Sequence, residues 1–360
     1  MTTATPTAPM ISPSNTTATS TNLLDKLPTG PVNLVSQRGW YIAISALLLI
    51  PSIVFIALMM WQQLNHAPVK LGIDFTGGTL VEMGFAKPLT PADGVTIQTV
   101  VKEAGYKDAI VQLQQPQADL EASKEAATEK AGTVKTSSNK ALKTIVSLRM
   151  PHLPEGAMTT IGKGITQKVG TFTLLQKTAI GPTLAGELLT NGILALVAAY
   201  VLIVGFLTFR FQFDYAICAI VALLHDTLFV IGVFAGLGYL YGIEVDSLFV
   251  TAMLTVVGFS VHDTIVVFDR IRENLRLFYS KKLPFSTLAN ISINQTLSRS
   301  INTSVTALLP MLTLFFFGGQ STHLFTLALV VGITAGTYSS IWVASLLLVW
   351  WRERDSQTAR

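Results

Sequence analysis

Residues 256–274 read VVGFSVHDTIVVFDRIREN, and a carboxylate, Asp263, stands inside a run otherwise fit for a membrane. The seven residues before it and the five after it carry no fixed charge, His262 being the one titratable neighbour. An acid at bilayer depth costs about 2.5–3.5 kcal/mol on insertion scales, so a chain that keeps one there must recover that cost elsewhere. The surroundings favour a membrane span over the core of a soluble protein. Of 360 residues, 50% are hydrophobic and only 13% charged, and the mean hydropathy is +0.52, which is the composition of a polytopic membrane protein.

Crossing the hydrocarbon core takes about 20 apolar residues. Six segments qualify, at 40–61, 188–209, 215–241, 247–268, 300–317 and 324–351, the fifth being the shortest and most polar. Trp40, Tyr41, Trp61, Trp350 and Trp351 mark their interfacial ends, where an amphipathic ring gains from both phases. Residues 1–38 read as a cytoplasmic tail, whose first 22 residues are Thr, Ser, Pro and Asn rich and too poor in large apolar side chains to fold. The tail lacks the basic start and apolar centre of a signal peptide, so the first span, 39–61, is expected to remain as an anchor. The single cysteine, Cys218, excludes an internal disulfide.

Residues 62–187 have ordinary soluble composition and read as a domain. The pattern predicts a strand (LGIDFTGGTLVEMGF), a helix (TPADGVTIQTVVKEAG), a strand (AIVQLQQ), a charged mobile insertion near 116–142, a strand (TIVSLRM), a helix over 154–170 and a last strand (TFTLLQKTAIG). That order, βαββαβ, suggests a ferredoxin-like split. The expected fold is therefore a membrane all-α bundle of six spans, 39–61 and 188–351, with one α+β ferredoxin-like domain between spans one and two, and a short tail, 352–360. Gly72, Gly77 and Gly78 are expected as turn or bulge positions of the first strand. EGAMTTIGKG resembles a phosphate loop, but five residues rather than four separate Gly156 from Gly162, and Gly164 stands where Ser or Thr is needed. Nucleotide chemistry is not expected.

Orientation follows from basic residues in short loops, which are retained in the cytoplasm. Arg38 precedes span one, Arg210 lies between two and three, Arg270, Arg272, Arg276, Lys281, Lys282 and Arg299 lie between four and five, and Arg352, Arg354 and Arg360 follow six. The opposite loops, GIEVD and GGQSTH, have none. Both termini are expected in the cytoplasm and the 62–187 domain on the far side, its thirteen basic residues crossing regardless of charge.

On a helix, Ser260, Asp263 and Thr264 share a face at spacings of three and four, while His262 points about 100° away. In span five Gln295, Thr296, Arg299, Asn302, Thr303 and Thr306 form a polar stripe, expected to face the bundle interior or water, with Leu297, Ile301, Val305 and Leu308 outward or packed. Asp263 reads as an ion or proton site or as a hydrogen bond to a neighbouring helix, and Arg299 as its partner or as a snorkelling topology signal. Burial raises a carboxyl pKa and a nearby guanidinium lowers it, so movement of Arg299 relative to Asp263 could switch the acid between holding and releasing a proton. Asp226, in VALLHDTLFVIG of span three, is a second buried acid, read either as a supporting or second proton site or as a structural contact. A metal at the repeated HDT triplet is not expected, because adjacent His and Asp diverge on a helix and no third ligand is evident.

LGIDFTGGTLVEM after span one, VVGFSVHDTIVVFDRIREN in span four and NQTLSRSINTS entering span five closely resemble the SecD/SecF family of protein-export membrane proteins, over about residues 33–352. The resemblance implies one half of a resistance-nodulation-division-like transporter, completed by a SecD sister subunit and working with the SecYEG translocon in the bacterial cytoplasmic membrane. It implies that proton flow moves the periplasmic domains, which draw exported preproteins outward after ATP-driven translocation. Asp263 and Arg299 match the family's span-four acid and span-five arginine; Asp226 is a weaker match. No enzyme activity, cofactor or nucleic-acid partner is expected, the proton being the coupling ion. The alternatives are a small-molecule exporter of the same architecture and a scaffold that transduces nothing.

Overall fold

The computed structural model describes residues 37–63, 66–106, 109–114, 143–150, 156–278 and 283–358. The Thr-rich tail up to residue 36 and the insertion near 116–142 lie outside them. Apolar length produces six candidate spans: α1 (Arg38–Gln62), α5 (Pro182–Arg210), α6 (Phe213–Tyr241), α7 (Ser247–Leu277), α8 (Phe285–Phe317) and a sixth made of α9 (Gln320–Tyr338), a π-helical turn (Ser339–Val343) and α10 (Ala344–Thr358). Two helices outrun the segments that hydropathy marks. α7 continues through the charged run to Leu277, and α8 starts at Phe285 rather than near residue 300. Nothing between Pro284 and Arg299 breaks a helix, so the backbone continues where the apolar signal stops. Pro51 in α1 and Pro310 in α8 sit inside helices, as packed spans allow.

The six spans form an inner and an outer set. Buried residues make up 56% of the spanning window in α6, 50% in α7 and 56% in the sixth span, against 11%, 6% and 11% in α1, α5 and α8. Lipid tails are as apolar as leucine, so helices here associate through close packing rather than exclusion of water. Small residues mark the crossings. A methyl group on Gly232 of α6 would fall onto the Ser52 side chain of α1, 2.5 Å from its Cα, and one on Gly332 of α9 would fall onto the Val256 side chain of α7. Gly232→Ala is therefore expected to part α1 from α6 at a cost of about 1–3 kcal/mol. Lower thermal stability in detergent checks this; an unchanged unfolding temperature would mean the crossing has slack.

The domain between α1 and α5 holds two layers. Its elements are α2 (Ile73–Thr76), β1 (Gly78–Phe85), α3 (Pro91–Glu103), β2 (Ile110–Gln114), β3 (Thr144–Met150), α4 (Ala157–Lys168) and β4 (Phe172–Ile180). The strands form one antiparallel sheet in the order β2-β3-β1-β4. Alternate side chains Val81, Met83, Phe85, Val146, Leu148 and Met150 meet Ile97, Val100 and Val101 of α3 and Ile161 and Ile165 of α4 in a dry core. Thr90 and Asp93 cap α3 reciprocally, the Asp93 N–H donating to Thr90 Oγ1 and the Thr90 N–H to the Asp93 carboxylate.

The first predicted strand is two elements. IDFT forms the single turn α2, and the strand begins only at Gly78. Gly77 and Gly78 take φ of 72° and 123°, turning the chain between them. The register irregularity of β1 lies at Glu82/Met83, away from the glycines.

Candidate functional site

The chemistry concentrates in two places, the middle of the inner helices and the junction between bundle and domain. Asp226 lies near the centre of α6 and has no exposed surface. Its Oδ2 accepts hydrogen bonds from Ser260 Oγ of α7 and Ser339 Oγ of the π turn, each at 2.6 Å, and its Oδ1 stands 3.1 Å from His225 Nδ1. The imidazole thus folds back on the adjacent carboxylate instead of diverging from it. Ser340 continues the network: its hydroxyl lies 2.8 Å from Thr264 Oγ1, and both hydroxyls reach the Ser260 carbonyl at 3.1 Å. The π turn matters because its wider circuit lets the adjacent Ser339 and Ser340 both be fully buried against α6 and α7.

Asp263 lies one turn along α7 from Ser260, also near mid-helix and 2% exposed. Its one hydrogen-bond contact is long, 3.5 Å from Ser304 Oγ of α8, which is itself 2.6 Å from Thr337 Oγ1 of α9. Arg299 does not approach it. The arginine is on the exposed side of α8 and makes no ion pair among the described residues.

The polar stripe of span five, expected to face the bundle interior or water, is divided, with Thr296 buried and most of its other members on the open side of α8. Asn302 and Thr306 are exposed with Arg299, and Thr303 is half-buried with its hydroxyl donating to the Arg299 carbonyl. Gln295 alone reaches another helix, its Oε1 accepting from Arg270 Nε at 2.6 Å and Asn274 Nδ2 at 2.9 Å. The buried face carries a row that shares only Thr296 with the stripe: Ser292, Thr296, Ser300 and Ser304, at a strict spacing of four. That spacing was the available signal, overshadowed by the larger polar residues beside it. The hydroxyls of Ser292, Thr296 and Ser304 bond the carbonyl four residues back, which lets them be buried at little cost.

The junction ties the domain to the α6–α7 loop. Leu71 pairs with Val245 in a parallel bridge, with Gly72 N–H donating to the Val245 carbonyl and Val245 N–H to the Lys70 carbonyl, both at 2.8 Å. Glu244 sits between Arg149, 2.6 Å away, and Lys70, 3.4 Å away. Asp74 of α2 accepts from the Ser247 N–H at 2.9 Å and the Ser247 hydroxyl at 2.6 Å, where α7 begins. The adjacent Asp246 caps α7 by accepting from the Phe249 N–H. Burial pushes its carboxyl above the ordinary aspartate value, and the nearby Asp74 charge adds to this. Of the glycines in this region, Gly72 has a contact role the sequence does not show, its Cα facing the Val245 carbonyl so closely that a Cβ would stand 2.8 Å from the oxygen.

Six spans with two carboxylates at their centre and a domain clamped to the loop that opens one inner helix have the build of a membrane transport subunit. The chain belongs to the SecD/SecF family of protein-export membrane proteins: the family's C-terminal model matches residues 161–354, more than half of the chain, and its GG-motif model matches residues 64–89. It is 40% identical over 331 residues to the protein translocase subunit SecF of Thermobaculum terrenum, covering 90% of this chain and 95% of that one. The SecF subunit of Synechocystis is 36% identical over 317 residues, 86% of this chain and 91% of its own length. The protein translocase subunit SecDF of Thermus thermophilus is 35% identical over 282 residues, 78% of this chain but 34% of the longer protein. The crystal structure of SecDF from that organism, described as a translocon-associated membrane protein, superposes with a TM-score of 0.71 at 29% identity, covering 91% of this chain and 39% of that one. The chain is thus a membrane subunit of the Sec protein-export machinery.

Proposed function

We propose that this chain couples proton entry to the late, outward stage of preprotein export through the SecYEG translocon. It does so in the bacterial cytoplasmic membrane with a SecD-type subunit. The observation that carries this reading is Asp263, an acid buried near the middle of an inner helix with one long hydroxyl contact and no ion pair among the described residues. Such a group is kept at bilayer depth for what its charge does, and each proton crossing the potential supplies about 2.3 kcal/mol per 100 mV. Arg299, on the open face of α8, faces where a second half would pack, and the fused SecD and SecF portions of the Thermus relative support such a partner. The short-loop arginines support a topology with both termini in the cytoplasm and the domain outside, and the sheet order of the domain supports a ferredoxin-like reading. The machine moves polypeptide and makes no covalent bond.

Inverted membrane vesicles test this. ATP-driven translocation is allowed to proceed, ATP is removed, and completion is followed with and without a protonophore. Completion that requires both this chain and the gradient supports the proposal; completion indifferent to either refutes it.

A further inference from the structure

We infer that His225 and Asp226 together form a second proton-carrying site in this chain, distinct from Asp263 and resting on the proton-driven reading above. Three features converge on it. Asp226 is fully buried near mid-helix and holds three contacts from three different directions: its own helix, α7 and the π turn. Two hydroxyl donors on one oxygen are the arrangement that holds an ionised carboxylate away from water. His225, 5% exposed, spends Nδ1 on this carboxylate and leaves Nε2 buried without a partner. A ring nitrogen in that position costs free energy unless it is used.

The two groups can pass a proton without any other reagent. With neutral His225 donating its Nδ1–H to Asp226, a proton arriving on the Nε2 lone pair forms an N–H bond there. The Nδ1–H bond then breaks, its proton forms an O–H bond on Asp226 Oδ1, and the electron pair stays on Nδ1. The imidazole ends neutral in its other tautomer and the carboxylate ends neutralised, one net proton having been taken up. The reverse sequence releases it.

Among the described residues, no Lys or Arg of a neighbouring helix pairs with Asp226. The titratable groups nearest from them are Tyr200 of α5, hydrogen-bonded to Thr227; Asp263 of α7; and Tyr338 of α9, whose ring lies 6.4 Å from that of His225 and whose hydroxyl donates to the Tyr41 carbonyl of α1. His262 of α7 is exposed. At the cytoplasmic ends, Arg352 of α10 is paired with Asp214 and Arg210 of α5 with Asp269. Ser260 links the two acids along α7, donating to Asp226 while lying one turn from Asp263. A change of charge at Asp226 therefore alters the hydrogen bonding of the helix that carries Asp263.

The test uses the assembled complex in vesicles, with His225→Gln, Asp226→Asn and, in parallel, Asp263→Asn. Gradient-dependent export is measured across pH, and carboxyl protonation is followed by infrared difference spectroscopy. His225→Gln, which keeps a donor for Asp226 but removes the titrating nitrogen, is expected to move the pH midpoint of export by about one unit or more. Asp226→Asn is expected to remove one titrating carboxyl band and the associated limb of the profile. If both variants keep the wild-type profile and bands while Asp263→Asn abolishes gradient-dependent export, the second site is refuted and the proton-driven reading stands. If Asp263→Asn is also without effect, the reading itself fails. Should Asp226→Asn not accumulate, His225→Gln decides, because a purely structural histidine would leave the midpoint in place.

Discussion

Vesicles carrying Asp263→Asn at normal abundance are expected to complete export no faster with a proton gradient than with a protonophore present. Asparagine keeps the shape of aspartate and can still accept from Ser304, 3.5 Å away, so packing at the site is preserved. What it cannot do is change charge. If the acid only bridged α7 to α8, the substitution would be near neutral, since replacing a charged acceptor by a neutral one at a long contact removes little. Complete loss of the gradient-dependent part, with ATP-driven translocation intact, separates transduction from scaffolding; full retention would sink the transducer. Arg299→Met is expected to give the same loss by a different route. Its guanidinium lies on the open face of α8, so the defect should appear in the assembled complex and leave the stability of the isolated chain unchanged.

The second large effect is expected at the junction. Asp74→Ala removes both bonds to Ser247, each made to a charged acceptor and worth about 1.5–3 kcal/mol in general. It also removes negative charge from the N-terminus of α7, where the helix dipole favours it. Asp74 is half-buried and water can replace part of what is lost, so about 2 kcal/mol of docking is expected. Hydrogen exchange reads this directly. The Gly72 and Val245 amides close the bridge between domain and loop, and they should exchange roughly thirtyfold faster in the variant. Unchanged protection would mean that Glu244, held by Arg149 and Lys70, secures the junction alone. Gradient-dependent export should fall with the docking, because the domain then loses its attachment to the helix that carries Asp263.

Sequence reading found the parts of this fold that are fixed by local physics and missed those fixed by contact between distant segments. Apolar length located all six spans, and period-two and period-3.6 patterns located all four strands and both long helices of the domain. Hydropathy could not see that α7 and α8 extend past their apolar segments, because a charged helix and a charged loop have the same composition. The orientation of α8 stayed open between the bundle interior and water for a related reason. Large polar side chains at Gln295, Arg299 and Asn302 fit a face turned to the interior or to water, and the fold leaves Arg299 and Asn302 exposed. The inner row consists of small hydroxyls, of which Ser292, Thr296 and Ser304 bond their own backbone and Ser300 does not. Asp226 and Asp263 were legible because an acid in an apolar run always needs a reason. The contacts of Asp74, Glu244 and Gly72 were not, since they join segments far apart in the chain, Asp74 and Ser247 by 173 residues, and the π turn at Ser339 leaves no mark in an unbroken apolar stretch.

α7 runs without proline from the Asp246 cap, past Ser260 and Asp263, to Leu277. Ser247 and Asp263 are thus about 24 Å apart on one stiff rod at 1.5 Å per residue. A rod of this kind loses amplitude when it bends but none when it turns about its own axis. Any twist imposed at Asp263 reaches the far end of the rod undiminished, and there the Ser247 hydroxyl is the crank pin held by the domain.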